Sequence, residues 1–368
     1  MKKPLDIVIH DLPIKRVLEL ARWAPSGQNI QPWRFEIVDD RTLLIHVYNT
    51  ARMDFYRSSY PIGDIDMLDT GFLLENLRIA ATTEQLQCSW EYQGGSDTVH
   101  QIKVIFRHQS ELGVDPLHHH ISVRTTDRRP YRTDKLSDDC KNKLSSLLGN
   151  ALEIHWLDDF KDRLQQARLN STSMAIRMSI PETMTTHIRA LDWQNRFSKG
   201  LLVQATMPRT PPLPNRVLRW LLQDWSRTQF ANRIGVLVPV RMMFDFFPGL
   251  FCGAHFFISY RSKPSDENLF LLHTGQAIQR FWLTATSMGL VMQPILTTLT
   301  LPYYVKRNIY FSRNKSAMGK ARKLTEQLGD FWQKDIDTVL FVGRIGYPRH
   351  TAINARSLRY SLRELLVK

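Results

Sequence analysis

The sequence predicts an α+β fold built as two related halves, each a mixed sheet flanked by helices around one buried central helix. Three observations predict it. Helix-period and strand-period segments alternate along the 368 residues. The stretch GDIDMLDTGFLLENLRIAATTEQLQCSW (63–90) recurs as LFLLHTGQAIQRFWLTATSMGLVMQPI (269–295), with Thr70-Gly71 aligned on Thr274-Gly275. The polar motifs, by contrast, are not repeated. A Ser-Gly-Gln-Asn turn occurs only in the first half, and an Arg-Thr-Thr-Asp-Arg run only in the second. The halves divide at roughly 1–115 and 116–368 and are expected to relate by a pseudo-twofold axis.

In chain order, Asp11 is placed to cap a helix whose apolar positions are Ile14, Val17, Leu18 and Ala21. Pro25 ends it. Ser26, Gly27 and Asn29 form a polar turn, and Gln31-Pro32-Trp33 leads into a hairpin, Arg34–Val38 and Thr42–Tyr48. Asp66 to Glu84 is apolar on most faces and reads as a buried helix. Gln87–Tyr92 and Gln101–Arg107 read as strands. The connection 108–123 carries His118, His119 and His120; Glu111 and Asp115 make no ligand pattern with them, so a polar helical turn and no metal site is expected. Ser137 caps a helix closed by Gly149. Glu153–Leu157 is a strand and Phe160–Met178 a helix. Ala254–Tyr260 is a strand, His273–Met288 a long helix closed by Gly289, and Thr338–Gly343 a strand before a basic tail.

Residues 179–250 differ in character. Met, Trp, Arg and Pro are frequent, Pro208, Pro211, Pro212 and Pro214 break the segment, and Arg216–Arg233 reads as one amphipathic helix. An insertion of this kind forms a lid or binding surface, or packs plainly against the body.

Net charge is +14, and all of it lies in two segments. Residues 199–250 hold seven basic and two acidic side chains; residues 301–368 hold fourteen and five. Such an excess suits an anionic partner, whether phosphate cofactor, acidic substrate, nucleic acid or lipid surface, or else a solvated basic face. No nucleic-acid-binding signature is present, and Met318-Gly319-Lys320-Ala321 lacks the upstream glycine and the hydroxyl of a P-loop. Contact of residues 199–250 with a membrane surface stays open. The apolar stretch 234–258 contains Pro239, Arg241, Asp245 and Pro248, which argue against a spanning helix. Three cysteines without CxxC spacing and the absence of an apolar leader after Met1 point to a reducing, cytoplasmic compartment.

Read from its residues alone, the turn after Pro25 is either a plain helix terminus or a polar edge that offers N–H groups, a hydroxyl and an amide to a planar ligand. Ala24-Pro25-Ser26-Gly27-Gln28-Asn29-Ile30-Gln31-Pro32-Trp33 resembles the APSxxNxQPW signature of the FMN-dependent nitroreductase family. Arg124-Thr125-Thr126-Asp127-Arg128 is similar to that family's RRSxR phosphate motif. In the family's homodimers these two motifs come from different subunits. The resemblance therefore implies a fused pseudo-dimer of nitroreductase-like fold with one intact FMN site, most similar to the Acg-like subgroup.

The resemblance implies FMN contacts from Pro25, Ser26, Gly27, Asn29, Gln31, Arg124, Thr126 and Arg128. It adds a basic residue after Gly346-Tyr347-Pro348, either Arg359 or Arg356, and the backbone near Pro294, Ile295, Leu296 and Thr297, where relatives approach the flavin N5. Leu296-Thr297 replaces the acidic–Gly pair of common relatives. The implied activity is an NAD(P)H-dependent oxidoreductase acting on a small organic substrate, with no obligatory catalytic side chain. The alternative is an FMN-binding protein without turnover. Further homodimerisation of the fused chain is left open.

Overall fold

The structure is a computed structural model that describes residues 12–50, 60–61, 63–183, 191–192, 195, 197–199, 202–203, 215–349 and 356–367. Its first half begins with α1 (Pro13–Ala21), which buries Ile14, Val17, Leu18 and Ala21. Pro13 occupies the first turn, where no N–H is needed. The expected Asp11 cap lies outside the described residues. Strands β1 (Trp33–Ile37) and β2 (Thr42–Tyr48), helix α2 (Ile65–Thr82), and strands β3 (Leu86–Gly95) and β4 (Val99–His108) follow. The sheet order is β1-β2-β4-β3, antiparallel throughout. Leu43, Ile45 and Val47 alternate along β2 toward the core.

The second half contains α3 (Asp138–Ser146), β5 (Leu152–Leu157), α4 (Phe160–Arg177), β6 (Ala254–Tyr260), α7 (Glu267–Ser287), β7 (Val291–Pro294), α8 (Thr297–Lys306), α9 (Lys315–Trp332) and β8 (Val339–Gly346). Between α4 and β6 lie α5 (Asn215–Leu222), α6 (Trp225–Arg233) and a helical run from Leu237 to Leu250. The sheet order is β5-β6-β8-β7. Each half therefore runs strand, strand, helix, strand, strand and arranges its strands first, second, fourth, third. The sequence repeat is a repeat of topology.

Among the described residues, parallel pairing within these two four-stranded sheets is confined to one bridge at an edge of each. Leu366 of the tail bridges Phe35 in β1, and Thr126 bridges Met292 in β7. Each sheet thus receives a segment that comes from outside its own strand series.

Helices α2 and α7 pack together at the centre. Helix α2 is buried nearly all round, polar residues included. Those polar groups are tied to neighbours, as burial demands. Asp66 accepts from Thr50 N and Oγ1, Asn76 donates to the Ala21 carbonyl and accepts from Gln279, and Glu75 holds Arg78 and Arg280. The second sheet is covered on both faces. Phe256 and Ile258 join the central core, while Phe257 turns to a second cluster and stacks on Trp332 of α9, ring centroids 4.9 Å apart.

Several expectations need correction. Arg216–Arg233 is two helices, not one, because the Asp224 carboxylate accepts from Arg227 N at 3.0 Å and starts α6 afresh. Residues 208–214 lie outside the described residues. Helix α7 begins two turns before His273, where Asp266 accepts from Leu269 N. Helices α8 and α9 are additional, although Asn314 followed by Ala317, Met318, Ala321, Leu324 and Leu328 carries the cap and spacing of α9. Residues 118–121 form the expected helical turn. No described helix is long and apolar enough to cross a membrane.

Candidate functional site

The turn after Pro25 is held from three sides. Gly27 N donates to Asp69 Oδ2 of α2 at 2.9 Å, and Gln31 N donates to Ser26 Oγ at 2.9 Å. On the third side stands the tail. Asn29 Nδ2 donates to the Leu358 carbonyl at 2.8 Å, Tyr360 N to Gln31 Oε1 at 2.8 Å, and Arg359 Nε to the Ala24 carbonyl at 2.8 Å. Gln28, Asn29 and Gln31 all have positive φ, 54°, 61° and 55°. Three left-handed non-glycine residues within four positions are costly, and such strain collects where a precise backbone presentation is needed.

Those tail contacts bring arginines to the turn. Arg359 is buried, and Arg356 stands over the Trp23 ring, its Cζ 4.0 Å from the centroid. Arg356 also donates to the Ser122 carbonyl, two residues before Arg124. Arg124 is only 3 % exposed and stacks over Trp282 of α7 at 4.3 Å. Among the described residues its Nε and Nη1 have no hydrogen-bond partner, nor has Arg356 Nε or Asn29 Oδ1.

Burial, followed by repulsion from Arg359 and Arg356, pulls the Arg124 pKa well below the usual range. Burial, then Arg356 and Arg22, lowers Arg359 to about 9. Burial also lowers Arg356. Guanidinium groups remain charged at neutral pH. Three cations therefore crowd together, and no carboxylate among the described residues offsets Arg124. Arg22 belongs to the rim and is paired with Glu19 at 2.6 Å.

Arg128 has different neighbours from the three arginines at the turn. The charges acting on it are Tyr131, Arg344 and Asp127, and burial lowers it to about 10. Asp127 itself pairs with Arg129 at 2.8 Å. The segment is fixed by Arg344, 1 % exposed, which donates to Gln293 Oε1 and to the carbonyls of Pro248, Asp127 and Arg129. Through the Thr126–Met292 bridge and Gln293, the arginine cluster connects to Pro294–Thr297. Pro294 closes β7, Ile295 N donates to the Val342 carbonyl at 2.7 Å, and Leu296 and Thr297 open α8. The first N–H groups of a helix have no i−4 partner. Here Thr298 N and Leu299 N turn to the Ile295 and Leu296 carbonyls at 3.5 and 2.9 Å, so the N–H groups of Leu296 and Thr297 are the ones that can serve an acceptor group.

Sequence reasoning missed Trp23, Trp282, Asp69 and Arg344. Trp23 stands inside the motif stretch. Trp282 follows Gly275 by two helical turns, in the apolar series of that helix. The insertion also reaches the site. Its strand Phe197–Lys199 pairs in parallel with Arg356–Leu358, the segment that carries Arg356 and accepts from Asn29. Two surface clefts, of about 610 and 390 Å³, lie away from the cluster, beside Arg280 and beside Tyr303. Among the described residues no group of three His, Cys, Asp or Glu side chains could hold a metal ion.

The family model described as Nitroreductase family matches residues 9–59, the stretch that contains the turn. No curated protein matches. Among solved structures, the chain is similar to the FMN-dependent nitroreductase NfnB from Mycobacterium smegmatis in complex with NADPH. Identity is 14%, covering 67% of this chain and 94% of that one, with TM-score 0.35. An FMN-dependent nitroreductase from Clostridium difficile R20291 matches at 14% identity over 67% of this chain and 97% of that one, TM-score 0.35. A putative nitroreductase from Anabaena variabilis matches at 11% over 84% and 69%, TM-score 0.39.

Proposed function

We propose that the chain is an FMN-dependent oxidoreductase, a fused nitroreductase-like pseudo-dimer with one flavin site, of the Acg-like kind. Residues 1–115 and 116–368 are its two halves, and about 179–250 is an insertion in the second. One observation carries the reading: Arg124, Arg356 and Arg359 crowd beside the strained turn, and buried guanidinium nitrogens of Arg124 and Arg356 lack an acceptor among the described residues. A flavin phosphate fits that lack, because a dianion accepts several charge-assisted bonds and offsets three buried cations.

In this reading Arg124, Arg356 and Arg359 hold the phosphate. Ser26, Gly27, Asn29 and Gln31, behind Pro25, present polar atoms along the flavin, and Asn29 Oδ1 is an open acceptor there. Thr126 positions the strand against β7, and Arg128 adds positive charge to the same segment. The start of α8, after Pro294 and Ile295, supplies backbone donors from Leu296 and Thr297. Bound FMN would supply the redox chemistry, with NAD(P)H as electron donor and a small organic molecule as acceptor. The protein's part is to bind, orient and exclude water. The compartment we assign is the cytoplasm.

A second reading is flavin binding without turnover. The pairing of Phe197–Lys199 with the tail favours it, since the insertion would cover the cofactor. An absorbance spectrum of the purified protein, with mass spectrometry of the heat-released ligand, tests the proposal. FMN at about one per chain supports it, two per chain overturns the single-site account, and none after reconstitution overturns the enzyme. Stopped-flow mixing of the loaded protein with NAD(P)H separates the readings: rapid bleaching favours the oxidoreductase, and an unreduced flavin the binding protein.

A further inference from the structure

Among the described residues, helices α5 and α6 are fastened by one side. Leu218, Leu221 and Ala231 are buried in a small cluster beneath them, and Asn232 donates to the Met178 carbonyl at the end of α4. The opposite side is apolar as well. Trp220 is 52% exposed, Phe230 62% and Ile234 56%. They form one surface. Arg227 stacks over the Trp220 ring at 4.5 Å, and Phe230 and Ile234 follow Arg227 by three and seven residues, on the same side of α6. Arg216 and Arg233 stand exposed at its margins. From 215 to 241 the charged residues are five arginines and Asp224, and Asp224 is engaged in capping α6.

We propose that this surface docks on an anionic lipid bilayer. Large exposed aromatics bordered by arginines match an interface where rings enter the headgroup layer and guanidinium groups meet lipid phosphates. Charge complementarity selects that occupant. A neutral apolar partner would leave Arg216, Arg227 and Arg233 unanswered, and a second copy of the chain would set them against like charge. The helices are too short to span, so the protein would lie on the membrane. This inference does not depend on the flavin.

The test is co-sedimentation of the full-length protein with vesicles of phosphatidylglycerol and phosphatidylcholine, against phosphatidylcholine alone. Binding to the anionic vesicles should be at least about tenfold stronger and should weaken with salt. Trp220→Ser with Phe230→Ser, and separately Arg227→Gln with Arg233→Gln, should each reduce it about tenfold or more. These side chains are on the surface, and an unchanged far-ultraviolet dichroism spectrum confirms that each variant folds. Equal binding to both vesicle types overturns the proposal, as does anionic binding that neither variant weakens. Light scattering adds a third outcome: a dimer lost in the aromatic variant, without vesicle binding, overturns it in favour of a second copy.

Discussion

Gly71 and Gly275 meet face to face where the two central helices cross. A Cβ on Gly71 would stand 2.3 Å from the Leu272 carbonyl oxygen and 2.7 Å from Gly275 Cα; one on Gly275 would stand 2.3 Å from the Leu68 carbonyl oxygen and 2.7 Å from Gly71 Cα. Each carbonyl belongs to the residue three before the opposing glycine. The contact is its own mirror under a twofold rotation, so the fused chain keeps the geometry of a symmetric dimer interface. The obstructing atoms are backbone and cannot step aside. Gly71→Ala or Gly275→Ala should each destabilise the protein by about 3 kcal/mol or more, measured by denaturant unfolding. The double variant should cost less than the sum, since one displacement of the helices serves both methyl groups.

Arg124 should behave oppositely in the free and the loaded protein. Without an anion, its buried charge is repelled by Arg359 and Arg356. Arg124→Met keeps much of the length and the contact with Trp282 while removing the charge. The flavin-free variant should therefore be more stable than wild type by about 1 kcal/mol. FMN affinity should fall about 10–100-fold, the effect of losing bonds to a charged acceptor. Thermal unfolding with and without FMN reads both signs. A variant less stable in both states would place Arg124 in the scaffold and not at the phosphate.

The turn and the tail should separate by substitution. Gln31 spends its side chain on Tyr360 N, whereas no described hydrogen bond from the side chain of Gln28 secures its φ of 54°. Gln28→Gly should thus be neutral or stabilising by up to about 1 kcal/mol, because glycine adopts positive φ freely. Gln31→Ala should loosen the tail at Tyr360 while Asn29 and Arg359 still hold it. Hydrogen exchange at Tyr360 should quicken about fivefold, the equivalent of one lost hydrogen bond of about 1 kcal/mol.

Much of the architecture was legible before the structure, and the reason is periodicity. Thr70-Gly71 and Thr274-Gly275 marked the two central helices because burial on all sides forces a continuous apolar run, and close crossing forces glycine. The turn was legible because Ser26, Gly27 and Asn29 have local backbone preferences. What escaped depends on long-range pairing. Nothing near Arg124 in the sequence announces Trp282, 158 positions away. Nor does spacing alone separate Arg124, which has Arg356 and Arg359 as neighbours, from Arg128, which has Tyr131, Arg344 and Asp127. The break at Asp224 escaped because an aspartate inside an amphipathic run reads as a solvated helical residue until its carboxylate is seen to cap α6.

Asp245 carries a pH dependence of definite sign. It lies in the five-residue π-helical segment Met242–Phe246, beside Arg177 and Arg241. Burial raises its pKa from 3.8 to about 7, and the two arginines only partly oppose the shift. Between those values the folded protein holds a proton that the unfolded chain has released. Stability from this group is therefore greatest below about pH 4 and is lost as pH rises through about 7. A rise of that size bounds the effect at about 4 kcal/mol, and partial solvent contact reduces the expected value to about 1–2 kcal/mol. Asp245→Asn preserves the shape and removes the titration. It should be more stable than wild type at pH 8, and the difference should vanish near pH 4. Comparing the two proteins at each pH cancels the other titrating groups. Denaturant midpoints across that range decide the matter: a variant less stable than wild type at pH 8 would mean that the Asp245 carboxylate is held by Arg177 and Arg241 as a working ion pair.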